Sequence, residues 1–205
     1  AGIIRDEYRD RLDDAGIKLL TRMSAAADRM QRLVTDVLSY SKVSRQELVL
    51  QPVALMPLVA DIIEQYPQMK EARVKVCGDL PVVLGHPGAL TQVIANLLTN
   101  AVKFVPKGRV PEVAISASIE GPFIVLSFRD NGIGIDSGYH EKIFDMFERL
   151  HSPHEFEGTG IGLAIVRRAV QRMGGDVGVR SAVGQGSCFW VKLQAPITSQ
   201  RGGTI

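Results

Sequence analysis

The sequence contains little cysteine, little net charge and no long apolar run, and each of these absences excludes a class of protein. Two cysteines, Cys77 and Cys188, are too few for a disulfide framework, so we expect both to be reduced core residues in a cytoplasmic setting. A formal net charge of +2 provides no broad positive surface for nucleic acid. No apolar run is long enough to cross a bilayer and no signal-peptide pattern is present, so we expect no membrane contact by this chain.

The residues that are present describe an ordinary globular chain with enough apolar content for a substantial core. Of its 205 residues, 45% are hydrophobic and 22% are charged. This length fits one large domain, or a domain with a smaller element attached. The residue pattern divides the chain into a helical region at 1–45, a second unit at 46–196 and a loose tail at 197–205.

Residues 13–44 are predicted to form one long helix with an apolar seam. Apolar residues recur there at alternating spacings of four and three, which is typical of a coiled coil or a helical bundle. They are Leu19, Met23, Ala26, Met30, Leu33, Val37 and Tyr40. Charged residues, among them Arg32 and Asp36, occupy the other faces. Such a helix needs a partner, and we favour self-association over packing against the rest of this chain.

The residues before this helix indicate the end of an earlier one. Residues 1–11 have the pattern of a helix tail, and residues 11–16 are predicted to form the turn that follows it. Asp13 or Asp14 is then the cap of the long helix.

The second unit alternates strands and helices. Its strands are recognised by alternating apolar residues, its helices by apolar residues with helical spacing, and its boundaries by glycine and proline. The expected elements are a strand at 48–53, a helix at 55–66, strands near 74–76 and 82–84, a helix opened by Pro87, strands near 113–119 and at 123–129, helices at 140–149 and 160–173, and a hairpin of 176–180 with 187–193.

The helix opened by Pro87 carries two carboxamides and an ammonium along one side. Asn96, Asn100 and Lys103 fall at i, i+4 and i+7, next to an apolar stripe that can face a core. Carboxamide oxygens can bind a hard cation such as Mg²⁺, which takes its remaining ligands from water and phosphates. Lys103 can meet a phosphate as a point charge. The pattern fits a metal-bound phosphate chain, and the alternative is a surface helix whose polar side faces water.

Two glycine-bearing segments follow. Segment 130–134 (Asp-Asn-Gly-Ile-Gly) comes where a strand ends, and its carboxylate can accept a hydrogen bond from an amine while its glycines let a flat ring approach. This fits adenine recognition, although Asp-Asn-Gly also suits a plain turn.

Segment 158–163 (Gly-Thr-Gly-Ile-Gly-Leu) precedes a helix, whose free N–H groups can bind phosphate. Close packing of a loop against the sheet is the alternative.

Between the two glycine segments, the sequence predicts an anchored cover. Phe144 and Phe147 at i, i+3 can anchor a short helix, and the polar residues after them can cover a bound nucleotide. Arg149 either reaches phosphate or lies on the surface. His151 and His154 have the spacing of a metal pair, but no third ligand lies near them in sequence, so we expect exposed loop residues.

Taken together, these segments resemble the N, G1, F and G2 boxes of sensor histidine kinases in order, separation and predicted secondary structure. The matching series is Asn96, Asn100 and Lys103, then Asp130-x-Gly132-x-Gly134, Phe144-x-x-Phe147 and Gly158-x-Gly160-x-Gly162. Residues 33–45 also resemble the end of the second dimerisation helix of that family. The resemblance covers residues 13–195.

The resemblance implies the fold and the activity. The fold class is α+β: a two-layer α/β sandwich with a mixed sheet and helices, preceded by a long helix of a helical-bundle dimerisation domain. A kinase of this family forms a homodimer through its bundle. It transfers the γ-phosphate of ATP to a bundle histidine, and from there the phosphoryl group passes to an aspartate in the receiver domain of a response regulator.

The resemblance also implies which residues bind ATP and Mg²⁺. By motif match, Asn100 and Asn96 hold Mg²⁺ and the phosphates with help from Lys103, and Asp130 reads adenine. The glycines of the first segment shape the adenine pocket, and those of the second face the phosphates. Ser187 stands where the family often has a threonine near the base. The complete set of expected nucleotide-binding residues is Asn96, Asn100, Lys103, Asp130, Gly132, Gly134, Arg149, Gly158, Thr159, Gly160, Gly162, Leu163 and Ser187.

The chain departs from the family in one respect, because the phosphoacceptor is missing. The acceptor of the family is a histidine followed by an acid, with a proline five places on. None of the four histidines, at positions 86, 140, 151 and 154, has this pattern, and His86 stands where the family usually has aspartate. We therefore expect no catalytic histidine in this chain, which should bind ATP without phosphorylating itself at a bundle histidine.

Three other functions remain as alternatives. ATP-driven clamps such as gyrase B, mismatch-repair and chaperone ATPases place a glutamate general base where this chain has Asn96, which cannot accept a proton, so we expect no fast hydrolysis. A non-catalytic module that recruits a partner through its bundle would suit the heptads equally well. An anti-sigma serine kinase would lack the long heptad helix.

Overall fold

The computed structural model describes residues 13–45, 47–152 and 155–196. The predicted helix tail at 1–11, the tail at 197–205 and His154 lie outside these residues. Within the described part, no helix combines the length and the apolar character needed to cross a membrane.

The first element is helix α1, Asp14–Arg45, which has 32 residues and confirms the predicted long helix. Asp13 Oδ1 accepts a hydrogen bond of 2.7 Å from the Gly16 N–H, so Asp13 is the N-cap. The helix therefore begins one residue after the predicted start at 13, and the predicted cap at Asp13 or Asp14 is confirmed as Asp13. The predicted turn at 11–16 was therefore wrong for its second half, since Gly16 is helical.

The apolar seam of α1 is exposed in its first part and packed against the rest of the chain near its C-terminus. Leu19, Met23 and Met30 are more than half exposed. Leu33 and Tyr40, nearer the C-terminus, pack against the hydrophobic core of the α/β unit. The last turns of the helix thus pack on this chain, and its earlier turns present an apolar face to the surroundings. Self-association through that exposed part stays a prediction.

The α/β unit begins after α1 and closely follows the predicted order of elements. Its helices and strands are β1 Gln51–Ala54, α2 Leu55–Gln65, β2 Arg73–Cys77, β3 Val82–Gly85, α3 Pro87–Lys103, β4 Glu112–Glu120, β5 Phe123–Asp130, α4 Gly162–Arg172, β6 Asp176–Ser181 and β7 Ser187–Gln194. Short 3₁₀ turns lie at Pro67–Glu71, Ser137–Tyr139 and Lys142–Phe144.

The main sheet has five strands in the order β2-β4-β5-β7-β6. Strand β2 runs parallel to β4, and the other neighbours pair antiparallel, with Ala114 opposite Arg129 and Arg129 opposite Cys188. Strands β1 and β3 form a separate antiparallel pair. Helices α3 and α4 pack against each other and against the main sheet. This confirms the predicted α+β fold, with a mixed sheet and a helical layer.

The core lies between the sheet and these helices. Alternate residues of the strands face it, and Ile115, Leu126 and Val191 are at most 1% exposed. Burying each such side chain stabilises the fold by about 1.5–3 kcal/mol. The same alternation places Cys188 on the opposite face of the sheet, where it is half-buried, and Cys77 is exposed at the end of β2. Both are free thiols, but the prediction that they are core residues was wrong.

The helix predicted at 140–149 is also absent. Phe144 is buried at the end of a 3₁₀ turn, as an anchor should be. Phe147 instead has φ of 67° and is 57% exposed, and its N–H donates to the Gly160 carbonyl at 2.9 Å. The bond to the second glycine segment turns the backbone out of the helical region at Phe147, so a regular helix cannot continue there.

Candidate functional site

A cavity of about 300 Å³ lies where α3, the end of β5, the start of α4 and the segment 148–160 meet. All of the predicted nucleotide-binding residues except Gly132 line it. The side chains that the sequence separates by as many as 91 positions, from Asn96 to Ser187, therefore face one common space.

Helix α3 supplies the polar wall at one end of the cavity. Its N-terminus is capped by His86, whose Nδ1 accepts a hydrogen bond of 3.2 Å from the Ala89 N–H. Leu90, Val93 and Leu97 bury the opposite side, which fixes the rotation of the helix. Asn96, Asn100 and Lys103 are consequently half-buried along the cavity.

The start of α4 stands directly opposite this wall. A methyl group added to Gly162 would lie 3.0 Å from Asn96 Oδ1, and one added to Gly158 would lie 3.1 Å from Lys103 Nζ. The first N–H groups of a helix have no partner within the helix, and the helix dipole makes this end electropositive. Carboxamides, an ammonium and a helix N-terminus thus converge on one region, which we call the phosphate end.

Lys103 has an unusual charge environment. Its pKa is lowered to about 8, mainly by burial and also by the neighbouring Arg149, while Glu157 acts in the opposite direction. Its ammonium also lies 4.1 Å from the centre of the Phe104 ring. An anion at this position would raise the pKa of Lys103, because a neighbouring negative charge favours the ammonium form.

Asp130 lines the same cavity from the end of β5, and we call the region around it the base end. Its Oδ1 accepts hydrogen bonds from the Gly132 N–H at 2.8 Å and from the Ser187 N–H at 3.0 Å. Burial raises the pKa of Asp130, and these two N–H groups partly counter that effect. No described residue donates to Oδ2, so this oxygen can accept from a ligand.

The two glycines of segment 130–134 contribute to the cavity in different ways. Gly134 lines the cavity with φ of 73°, and a methyl group there would lie 1.9 Å from the Ala182 carbonyl oxygen. That position therefore requires glycine. Gly132 lies behind the cavity wall and acts through its N–H, which holds the Asp130 carboxylate in place.

Arg149 fastens the cover of the cavity. Its guanidinium donates to the carbonyls of Gly158 at 2.6 Å and Phe156 at 2.9 Å. These bonds join the beginning of the segment 148–160 to its later part. Three rings pack beside it, with centroid distances of 5.1 Å for Phe104–Phe156 and 5.4 Å for His151–Phe156. His151 is therefore half-buried, and the expectation of an exposed loop residue was wrong. The described residues contain no group of three or more His, Cys, Asp or Glu side chains that could hold a metal ion.

The sequence did not predict the part that α1 plays in the cavity wall. Arg32 Nη1 lies 2.8 Å from Glu157 Oε2, and Asp36 Oδ2 accepts a hydrogen bond of 2.5 Å from the Thr159 hydroxyl. Both side chains of α1 line the cavity. The sequence does show that these two residues are spaced i, i+4 outside the apolar seam, which places them on one face of α1. It does not show which part of the protein that face contacts.

A family model described as histidine kinase-, DNA gyrase B-, and HSP90-like ATPase matches residues 85–197. The matched range is more than half of the chain and contains the whole cavity wall from α3 to β7. The chain therefore belongs to this family of ATPases.

Its relatives are sensor histidine kinases and phytochromes. The chain is 33% identical to cyanobacterial phytochrome A of Nostoc sp., over 93% of this chain and 25% of that protein. It is 35% identical to sensor histidine kinase AruS of Pseudomonas aeruginosa, over 90% and 20% respectively. The chain thus spans a quarter or less of the length of these relatives.

Solved structures agree with the sequence relatives. Full-length ShkA in complex with AMPPNP superposes with a TM-score of 0.69 at 32% identity, covering 94% of this chain and 41% of ShkA. The mycobacterial sensor histidine kinase MprB gives a TM-score of 0.63 at 26% identity, covering 73% of this chain and 100% of the MprB chain. These findings confirm the resemblance to sensor histidine kinases.

Proposed function

We propose that this chain is the ATP-binding catalytic part of a sensor histidine kinase. It would transfer the γ-phosphate of ATP to a histidine of a helical bundle, for relay to an aspartate of a response regulator. One observation carries the proposal: a single cavity has a carboxylate at its base end and two carboxamides, an ammonium and a helix N-terminus at its phosphate end. These two sets of groups, in one cavity, suit the two parts of a nucleotide, its base and its chain of phosphates.

At the base end, Asp130 would read adenine. Its Oδ2 can accept a hydrogen bond from the exocyclic amine, while the two N–H groups on Oδ1 hold the carboxylate in place. Ile135, Ile143 and Phe189 supply apolar surface for the flat ring. A base that carries a carbonyl in place of the amine would put two acceptors against each other and should bind less well.

At the phosphate end, Asn96 and Asn100 would hold Mg²⁺ through their carboxamide oxygens. This donor set fits a hard cation that takes its remaining ligands from water and phosphates. The bound ion would neutralise charge on the phosphates during transfer. Lys103 would contact the same phosphates, and the N–H groups at the start of α4 would face them. Catalysis then consists of holding the γ-phosphate in line with an incoming histidine and screening its charge.

The acceptor histidine would come from outside this sequence. His86 caps α3, and the His151 ring packs with Phe156, so neither stands in a bundle helix. His140 contacts the Ile135 carbonyl. The exposed apolar part of α1 supports the proposal of a homodimeric bundle. Because ATP is its phosphate donor, we place the working domain in the cytoplasm.

Two alternatives are separated from this proposal by particular features. An ATPase clamp needs a general base at the position of Asn96, whose carboxamide cannot accept a proton. A non-catalytic recruiting module needs no nucleotide, and so gives no reason for the charged and carboxamide groups to converge in the cavity.

Phosphotransfer to a supplied histidine tests the proposal. The chain is mixed with γ-labelled ATP, Mg²⁺ and a bundle fragment that contains a histidine followed by an acidic residue. We expect label on the fragment and none on the chain alone. Replacing Asn100 by alanine should abolish labelling, whereas Asn131→Ala, on the outer side of the turn, keeps the groups at the phosphate end and should retain labelling. Label that appears on the chain without the fragment would contradict the assignment of the acceptor.

A further inference from the structure

Helix α1 reaches into the phosphate end through Asp36. The Asp36 carboxylate accepts a hydrogen bond from the hydroxyl of Thr159, which lies between two glycines of the second segment. One turn earlier on the helix, Arg32 pairs with Glu157. Two contacts on one face of α1 therefore hold the loop 157–160 against the helix.

The position of this carboxylate matters because of what surrounds Thr159. Gly158 approaches the Lys103 ammonium and Gly162 approaches the Asn96 carboxamide, so the loop held by Asp36 lies at the phosphate end of the cavity. Arg32, one turn away on α1, pairs with Glu157, and none of the ion pairs among the described residues includes Asp36. Asp36 thus brings a negative charge to the region where the last phosphate of a triphosphate would lie.

We propose that Asp36 is a specificity-determining residue, which makes the cavity favour a nucleoside diphosphate over a triphosphate while α1 is docked. The inference rests on the proposed function, since it concerns the same nucleotide. The additional phosphate of a triphosphate would add negative charge beside the Asp36 carboxylate, and a diphosphate lacks that repulsion. Because coupling is reciprocal, a triphosphate weakens the docking of α1 by the same factor.

The opposite role for Asp36 is as an additional oxygen ligand for Mg²⁺. In that case the carboxylate would favour the triphosphate, because Mg²⁺ would be held by the phosphates and by Asp36 together. The two roles predict changes of opposite sign when the charge is removed, so one comparison separates them.

Calorimetry on four proteins provides that comparison: the wild-type chain, Asp36→Ala, Asp36→Asn and Asp28→Ala. Each is titrated with Mg–ADP and with a Mg-bound non-hydrolysable ATP analogue. Asp28 is an exposed acid two turns earlier on α1 and serves as the matched control. Asparagine keeps an oxygen acceptor for Thr159 and removes the charge alone.

We expect the affinity for the analogue relative to ADP to rise about five- to tenfold in both Asp36 variants. The ratio in Asp28→Ala should equal that of the wild-type chain. An unchanged ratio in Asp36→Asn, or a ratio that shifts toward ADP, overturns the inference and leaves the proposed function intact. If the folded wild-type chain binds neither nucleotide, the proposed function fails and the inference fails with it.

Discussion

Replacement of Asp130 by asparagine tests the proposal that Asp130 binds the adenine base. In the structure, Oδ1 accepts from both Gly132 and Ser187, and Oδ2 has no donor among the described residues. An asparagine can keep both bonds through its carbonyl oxygen and then presents its amide nitrogen where Oδ2 lies. The adenine amine would meet a donor in place of an acceptor, while the surrounding backbone keeps its hydrogen bonds.

The expected loss of ADP affinity follows from the loss of one buried hydrogen bond and from the two donors left facing each other. This costs about 1–3 kcal/mol, which corresponds to about 5- to 150-fold weaker ADP binding. Inosine diphosphate carries a carbonyl oxygen where adenine carries its amine. The Asp130→Asn variant should therefore bind inosine diphosphate better than ADP, and the wild-type chain should show the opposite preference.

Calorimetric titration of both diphosphates in Mg²⁺ measures these preferences. Asp79→Asn, at an exposed position before β3, is the control and should bind as the wild-type chain does. Thermal melting checks that each variant is folded. If folded Asp130→Asn protein keeps the wild-type preference for ADP, the assignment of Asp130 to the base is wrong.

Three further predictions concern charge, backbone conformation and helix capping. In the proposed site, phosphates bind the protonated form of Lys103, whose pKa is about 8. Affinity for Mg–ADP should therefore hold below about pH 7 and fall as pH rises above 8, and Lys103→Met should remove this dependence. Gly134→Ala should destabilise the fold by more than about 3 kcal/mol in urea unfolding, because its methyl group would meet the Ala182 carbonyl. Gly184→Ala, also at positive φ but in open space, should cost only about 1–2 kcal/mol. His86→Asp should raise the free energy of unfolding by about 0.3–1 kcal/mol, since a negative charge suits the N-terminus of α3; a decrease would contradict this account.

The regular elements were predictable because each has its own local period. The helix opened by Pro87 was expected from its apolar stripe and was found at Pro87–Lys103. The strands near 113–119 and at 123–129 were expected from alternating residues and were found within one residue at each end. Burial of one face stabilises a helix or strand, so the spacing of its apolar residues predicts the element well. The predicted site residues depended on the same elements, since helical spacing alone brings Asn96 and Asn100 to one side of α3.

The errors arose where contacts between distant residues decide local structure. Phe147 leaves the helical region because its N–H bonds to Gly160, which lies 13 positions later. Asp36 meets Thr159 across 123 positions, and no periodicity within α1 indicates that contact. The packing of Phe104 with Phe156 likewise depends on how the cover folds back over the end of α3. Each of these interactions belongs to tertiary packing and leaves no local pattern.

The central claim is that a purine nucleotide occupies the cavity between α3 and the two glycine segments. Titration of the folded wild-type chain with Mg–ADP in a calorimeter tests it most directly. The account predicts saturable heat with one nucleotide bound per chain and weaker binding after Asn100→Ala. An absence of binding heat at several temperatures, from protein whose melting curve shows a cooperative fold, would contradict it.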